Sequence, residues 1–167
     1  ASPAMVHSCD EVEDFVRLSS ALVINIGTMS SEWAAAMKLA AAEANRRSVP
    51  WALDPVGVGA TRYRTALAGD LVALRPTVIR GNASEIITLA GSVEARARGV
   101  DSLHGSEDAV GSARELAAGT GGVVAVTGKT DYVTDGRRLA RIEGGHALMP
   151  MVTGLGCTAT ALIGAFL

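Results

Sequence analysis

Four short runs in this chain are apolar at nearly every position: residues 21–26 (ALVINI), 49–53, 77–79 and 123–126. An alternating strand keeps one face wet, whereas a strand apolar at every position must bury both faces. Helical patterns lie between these runs. Residues 31–47 are Ala-rich, with Trp33, Met37, Ala40 and Ala44 at three-to-four spacing. Ser30 or Ser31 can cap that helix, and Glu32 sits near the positive end of its dipole. A helix from about residue 83 to 89 follows the third run. Residues 107–118 read as another, capped by Ser106 and stopped by Gly119. Residues 132–134 and 138–142 flank Asp135-Gly136, a strong hairpin signal. Strand-helix alternation with buried strands predicts an α/β fold on a mainly parallel sheet. Residues 56–65 are the most loop-like connection and 99–111 the most polar.

The totals fit one domain with a sizeable core. The chain has 167 residues, is 49% hydrophobic and 19% charged, and holds 19 glycines. Aromatic residues are only 4%, so Ala, Val, Leu and Ile must fill the core. A net charge of −2 gives no electrostatic reason to expect nucleic acid or a membrane surface as a partner. No apolar run approaches the roughly 20 residues of a membrane span. The two cysteines, Cys9 and Cys157, read as reduced thiols, and the chain as cytoplasmic. Both ends read as cut: ASPAM lacks an initiator Met, and IGAFL stops in mid-pattern.

Polar residues collect just past the predicted strand ends: Asn25 and Thr28, Asp54, Arg80 and Asn82, and Thr127. In open α/β sheets that edge is where ligands bind. Each motif also has a plainer reading. In DPVGVGATRYR, Asp54 is able to hold a hydrated cation or only an Asx turn. In RGNASEI, Asn82 and Glu85 form a capping-box pattern, while Glu85 could instead face a Mg²⁺ water shell and Arg80 a phosphate. Thr127-Gly128 either contacts a phosphate or ends a strand.

VTGLGC, residues 152–157, places glycines before a helix, where free N–H groups and the helix dipole favour an anion. No lysine follows, so it is not a P-loop, and the third glycine of a dinucleotide fingerprint is absent. Cys157 falls in the first helical turn, where thiols are activated, or it is a small apolar filler. His7, His104 and His146 show no metal spacing.

Taken in order, ASPAM, ALVINIGT, LDPVGVGATRYRT, VIRGNASEI, VAVTG and VTGLGC resemble the hydroxyethylthiazole kinase family, a thiamine-salvage branch of the ribokinase-like superfamily. The resemblance spans essentially the whole chain and implies a ribokinase-like three-layer sandwich, here one domain over residues 1–167, truncated at both ends. It implies ATP- and Mg²⁺-dependent phosphorylation of the hydroxyl of 4-methyl-5-(2-hydroxyethyl)thiazole. Met5, Asn25, Gly27 and Gly154 are then expected at the thiazole alcohol. Arg80 and Thr127 are expected on the ATP phosphates, with Asp54 and Glu85 ordering Mg²⁺. Gly154, Leu155, Gly156 and Cys157 would form an anion hole, with Cys157 as the base where many ribokinase-like relatives carry aspartate. A homotrimer with the thiazole site near a subunit interface is implied too. Leu155 departs from the family, which usually has a small residue between the two glycines. The rival readings are another ribokinase-like vitamin kinase, for hydroxymethylpyrimidine or pyridoxal, and a non-catalytic fragment with residual nucleotide binding.

Overall fold

A computed structural model of the protein describes residues 2–95 and 106–167. Six strands form one sheet whose spatial order follows the sequence: β1 (Leu22–Asn25), β2 (Trp51–Asp54), β3 (Val78–Asn82), β4 (Val123–Thr127), β5 (Thr130–Thr134) and β6 (Leu139–Glu143). The first four are parallel, and β5 and β6 are antiparallel additions. The expected α/β class and mainly parallel sheet are both present.

Right-handed crossovers between parallel strands laid down in one direction put their helices on one face. On that face α1 (Val12–Leu18), α2 (Ser31–Arg47), α3 (Arg62–Ala73), α4 (Ala83–Ala95) and α5 (Ser106–Thr120) pack each on the next. Ile24, Trp51, Leu53, Ile79 and Val124 are buried with Ala40, Ala41 and Ala44 of α2 in one core. Each large apolar side chain buried there contributes about 1.5–3 kcal/mol. Among the described residues the opposite face carries one helix, α6 (Leu155–Phe166), laid against β1 and β2. A Cβ on Gly164 would sit 2.3 Å from Val23 Cγ2, so this glycine lets helix and sheet approach.

Local signals explain most elements. Ser30 caps α2 by accepting the Trp33 N–H at 3.2 Å. Trp33 itself stacks on His7 with ring centroids 4.6 Å apart. The hairpin forms at Asp135-Gly136, with Gly136 at φ +90°. Its loop is four residues long because Asp135 accepts the Arg137 and Arg138 N–H groups before β6 begins at Leu139. Those bonds, with the Arg138 guanidinium, hold the Asp135 carboxyl well below the usual carboxylate range.

Several boundaries differ from expectation, among them β3, which runs on through Arg80 to Asn82 rather than ending at residue 79. Helix α3 begins at Arg62, inside the stretch expected to be loop, because Thr61 caps it by accepting the Arg64 N–H at 3.2 Å. Helix α5 starts at Ser106 and passes through Gly119; the left-handed stop is Gly121, at φ +75°. Helix α4 continues to Ala95 rather than ending near residue 89. The polar connection 99–111 falls partly outside the described residues, and its described part, from Ser106, is helix.

Helix α1 is too short to persist alone. Val12 and Val16 bury one face against α2, and Arg17 donates to Glu43 of α2 at 2.9 Å. Glu43, with its side chain 1% exposed, also accepts from Arg46 Nε at 2.7 Å and Arg47 Nε at 3.1 Å. Burial raises its pKa, but the hydrogen bonds from Arg46, Arg17 and Arg47 and the Arg46 charge bring it down from 4.5 to about 2. The unfolded chain therefore takes up this proton before the folded one does. Stability from Glu43 is complete above pH 4.5 and is lost as pH falls toward about 2. Glu43→Gln should flatten that part of the acid limb, read as urea midpoints at pH about 3 and about 6. An unchanged acid limb would refute the assignment.

Candidate active site

Parallel register decides which strand-end residues meet. Asn25 pairs with Asp54, and Val23 with Ala52, so Asn25 and Asp54 share the face that Val23 presents to α6. Ala52 pairs with Val78, and alternation then puts Arg80 on that face; Arg80 pairs with Ala125, which carries Thr127 there as well. Four strands thus deliver Asn25, Asp54, Arg80 and Thr127 to one edge, under the amino end of α6.

Asp54 is fully buried. Its Oδ2 accepts from Thr160 Oγ1 at 2.7 Å and from Asn25 Nδ2 at 3.1 Å, and lies 3.8 Å from Arg80 Nη1. Its Oδ1 is buried with no partner. The carboxylate is therefore oriented, with one oxygen engaged and one presented. Burial pushes its pKa up, the Thr160 hydrogen bond and the Arg80 charge oppose that, and the Glu85 charge adds to the rise; the net shift is upward.

Arg80 Nη2 donates to Thr127 Oγ1, and Thr127 in turn donates to the Gly81 carbonyl at 3.4 Å. Arg80 Nε is buried without a partner. The Arg80 side chain as a whole is 12% exposed and is held in place by these contacts.

The two glycines before the helix have different reasons to be there. Gly154 takes φ +86° with open space where a side chain would point, so it is needed for the turn. Gly156 has an ordinary φ, but a Cβ would lie 2.5 Å from Arg80 Nη1. The first intrahelical bond runs from the Thr158 N–H to the Gly154 carbonyl at 2.9 Å. The N–H groups of Leu155, Gly156 and Cys157 precede it and have no helical carbonyl of their own. Leu155 is half-buried, and Cys157 is exposed on the first turn.

Glu85 follows its capping-box reading. Its Oε2 accepts the Asn82 N–H and its own N–H donates to Asn82 Oδ1, both at 2.9 Å. Its Oε1 also accepts the Gly57 N–H at 2.9 Å, tying the β2–α3 loop to the end of β3. The side-chain oxygen of Asn25 accepts the Gly27 N–H at 2.8 Å, so both ends of that amide are engaged within the protein. Met5 is 89% exposed, and no bond links it to the cluster.

A bound Mg²⁺ is tested by these donors. The partnerless Asp54 Oδ1 suits a hard cation or one of its waters. Each Glu85 oxygen already accepts one backbone N–H, which leaves it suited to water-shell contact. Among the described residues no three His, Cys, Asp or Glu side chains are grouped to hold a metal by themselves.

Two residues of the site escaped sequence reasoning. Thr160 is buried inside an otherwise apolar helix, one turn after Gly156. Its signal was weak, a lone hydroxyl in an apolar run. Arg64 donates to the carbonyls of Ile26, Val56 and Gly27. Its signal was stronger, a cation in a helical first turn that has no acidic residue.

The profile of the hydroxyethylthiazole kinase family matches residues 1–167. The chain is 61% identical to the hydroxyethylthiazole kinase of Granulibacter bethesdensis and 57% identical to that of Rhizobium johnstonii, over 99% of its own length. It spans 60% and 62% of those two relatives. The solved hydroxyethylthiazole kinase of Pyrococcus horikoshii superposes with a TM-score of 0.89 at 41% identity, covering 99% of this chain and 61% of that one. A Bacillus subtilis pyridoxal kinase solved with ADP shares the fold at a TM-score of 0.63 and 24% identity, over 87% of this chain and 54% of that one. Sequence and fold agree that the chain belongs to the hydroxyethylthiazole kinase family.

Proposed function

We propose that the protein transfers the γ-phosphoryl group of ATP to the primary hydroxyl of 4-methyl-5-(2-hydroxyethyl)thiazole. The observation that carries this reading is the meeting of Asp54, Arg80 and Thr127 beneath the amino end of α6, on one edge of the sheet. Phosphoryl transfer needs positioning and charge neutralisation more than covalent help from the protein.

Arg80 and the Thr127 hydroxyl hold the ATP phosphates. The N–H groups of Leu155, Gly156 and Cys157, with the helix dipole, receive the negative charge of the transferred phosphoryl. The alcohol oxygen bonds to phosphorus as the bridging oxygen leaves with ADP. The hydroxyl proton passes to the thiolate form of Cys157, which becomes the thiol; the side chain is exposed on the first turn. Mg²⁺, when bound, supplies charge neutralisation on the phosphate oxygens, with Asp54 Oδ1 and Glu85 holding its water shell. Gly27 and Gly154 border the alcohol. Asn25 acts on substrate through the Asp54 and Gly27 atoms it holds.

Met5 would lie against the flat thiazole ring, and its exposure suits a pocket completed by a neighbouring subunit in a homotrimer. A cytoplasmic enzyme is in keeping with two free thiols and, among the described residues, no helix long and apolar enough to cross a membrane.

The test is steady-state turnover of the intact reading frame that carries this sequence, with Mg·ATP and the thiazole alcohol. Saturable, alcohol-dependent ADP release is expected. Turnover of pyridoxal or hydroxymethylpyrimidine but not of the thiazole alcohol would move the substrate. A folded protein with neither turnover nor a thermal shift from Mg·ATP would mean a non-catalytic chain.

A further inference from the structure

Cations disfavour the first turn of a helix, where the dipole is positive. Helix α3 nevertheless opens Arg62-Tyr63-Arg64, with no acid in that turn. A residue that breaks a local rule and is retained has its compensation elsewhere. For Arg64 the compensation is the backbone of two loops. Nη1 donates to the carbonyl of Ile26 and, at 2.9 Å, to that of Val56; Nη2 donates to Gly27 at 3.3 Å. Ile26 and Gly27 lie past the end of β1, and Val56 past the end of β2. Tyr63 reaches the same side, its hydroxyl donating to the Ser30 carbonyl at 3.3 Å.

The loop is shaped around this side chain. Gly57 sits at φ +69°, and a Cβ there would come within 3.3 Å of Arg64 Cδ. The Gly57 N–H, in turn, is the one that Glu85 accepts. The guanidinium therefore faces carbonyls: both Nη1 hydrogens and one of Nη2 are spent on the two loops. Such a fork fixes the spacing of three carbonyls at once, which a single ammonium cannot.

We infer that Arg64 is a positioning residue for the acceptor side of the site: by clamping the β1–α2 and β2–α3 loops together, it sets the gap between Gly27 and Gly57 into which the alcohol enters. The inference rests on the proposed kinase reading for the identity of the alcohol. Its geometry concerns only the two loops and has no part in nucleotide contact.

The experiment compares Arg64→Ala and Arg64→Lys with the parent in the intact reading frame. KM for the alcohol is expected to rise at least about 10-fold in Arg64→Ala, while KM for ATP stays within about twofold. Arg64→Lys should fall between, and millimolar methylguanidinium should restore part of the alcohol affinity to Arg64→Ala. Amide hydrogen exchange at Gly27 and Gly57 should quicken in the variant, and this readout requires no turnover. Equal rises in both KM values overturn the inference. So does a lowered melting temperature with both KM values unchanged. Unaltered exchange at the two glycines overturns it whether or not the parent phosphorylates the thiazole alcohol. A parent inactive on the alcohol whose loops still loosen in Arg64→Ala would sink the substrate reading and leave the clamp standing.

Discussion

Replacing Arg80 with methionine is expected to destabilise the fold by about 3 kcal/mol, because it strands a buried carboxylate. Asp54 feels this loss directly: it is buried, burial has already raised its pKa, and Arg80 is the cation that opposes that rise. Without Arg80 the folded-state pKa moves further above the unfolded value. The sign follows from proton counting. The folded state then binds the proton more tightly than the unfolded state, so the penalty eases as pH falls and is largest near neutrality. Asp54→Asn in the same chain removes the stranded charge, so Arg80→Met/Asp54→Asn should recover most of the lost stability. Catalysis should separate from stability, because the double variant lacks both the phosphate contact and the carboxylate charge. Urea unfolding of the four cycle members measures the first effect, and kcat/KM for ATP the second. A single variant losing under about 0.5 kcal/mol, or a double variant no better than the single, would mean the pair is not coupled as described.

Gly156→Ala should harm activity most, with a stability cost below that of Arg80→Met, because the guanidinium is displaced rather than removed. Alanine is a better helix former than glycine by about 1 kcal/mol, so a purely structural helix would gain. Here the new Cβ would lie 2.5 Å from Nη1, 3.0 Å from Nη2 and 3.1 Å from Cζ of Arg80. The guanidinium must move, and moving it breaks its bond to Thr127 and its approach to Asp54. A loss of about 100-fold in kcat/KM follows from a displacement of that size. Gly154→Ala is the comparator, since its Cβ meets open space and only the left-handed φ resists it. Normal kcat/KM in Gly156→Ala would show that Arg80 and the helix do not share one site.

Sequence patterns disclosed the sheet better than the helices around it. Runs such as ALVINI read as strands, and β1 and β4 fall where those runs stand, although Val23 of β1 stays exposed. Helix α3 was hidden because its opening residues, Arg62 to Arg64, carry no apolar spacing, and the buried Leu67, Leu71 and Val72 come only afterwards. Helix α1 was hidden because its order comes from α2 through Val12, Val16 and the Glu43 contact, none of which is local. In the site, Asp54, Arg80 and Thr127 were legible because strand ends collect polar residues. Their mutual contacts were not, since the pairing register that joins them depends on segments far apart in sequence. Thr160 shows the limit well: it meets Asp54 across 106 positions, and nothing near it announces a partner. The capping pattern at Asn82 and Glu85 was legible and is present, but the Gly57 N–H that shares Glu85 was not.

Helix α6 on the second face has a consequence for how the site comes into being. Strands β1 to β4 join neighbours in sequence order, so that sheet can assemble without α6, and Asp54 then still faces water. Seating α6 strips water from Asp54, delivers the Thr160 hydroxyl to it and brings Gly156 up to Arg80 in the same movement.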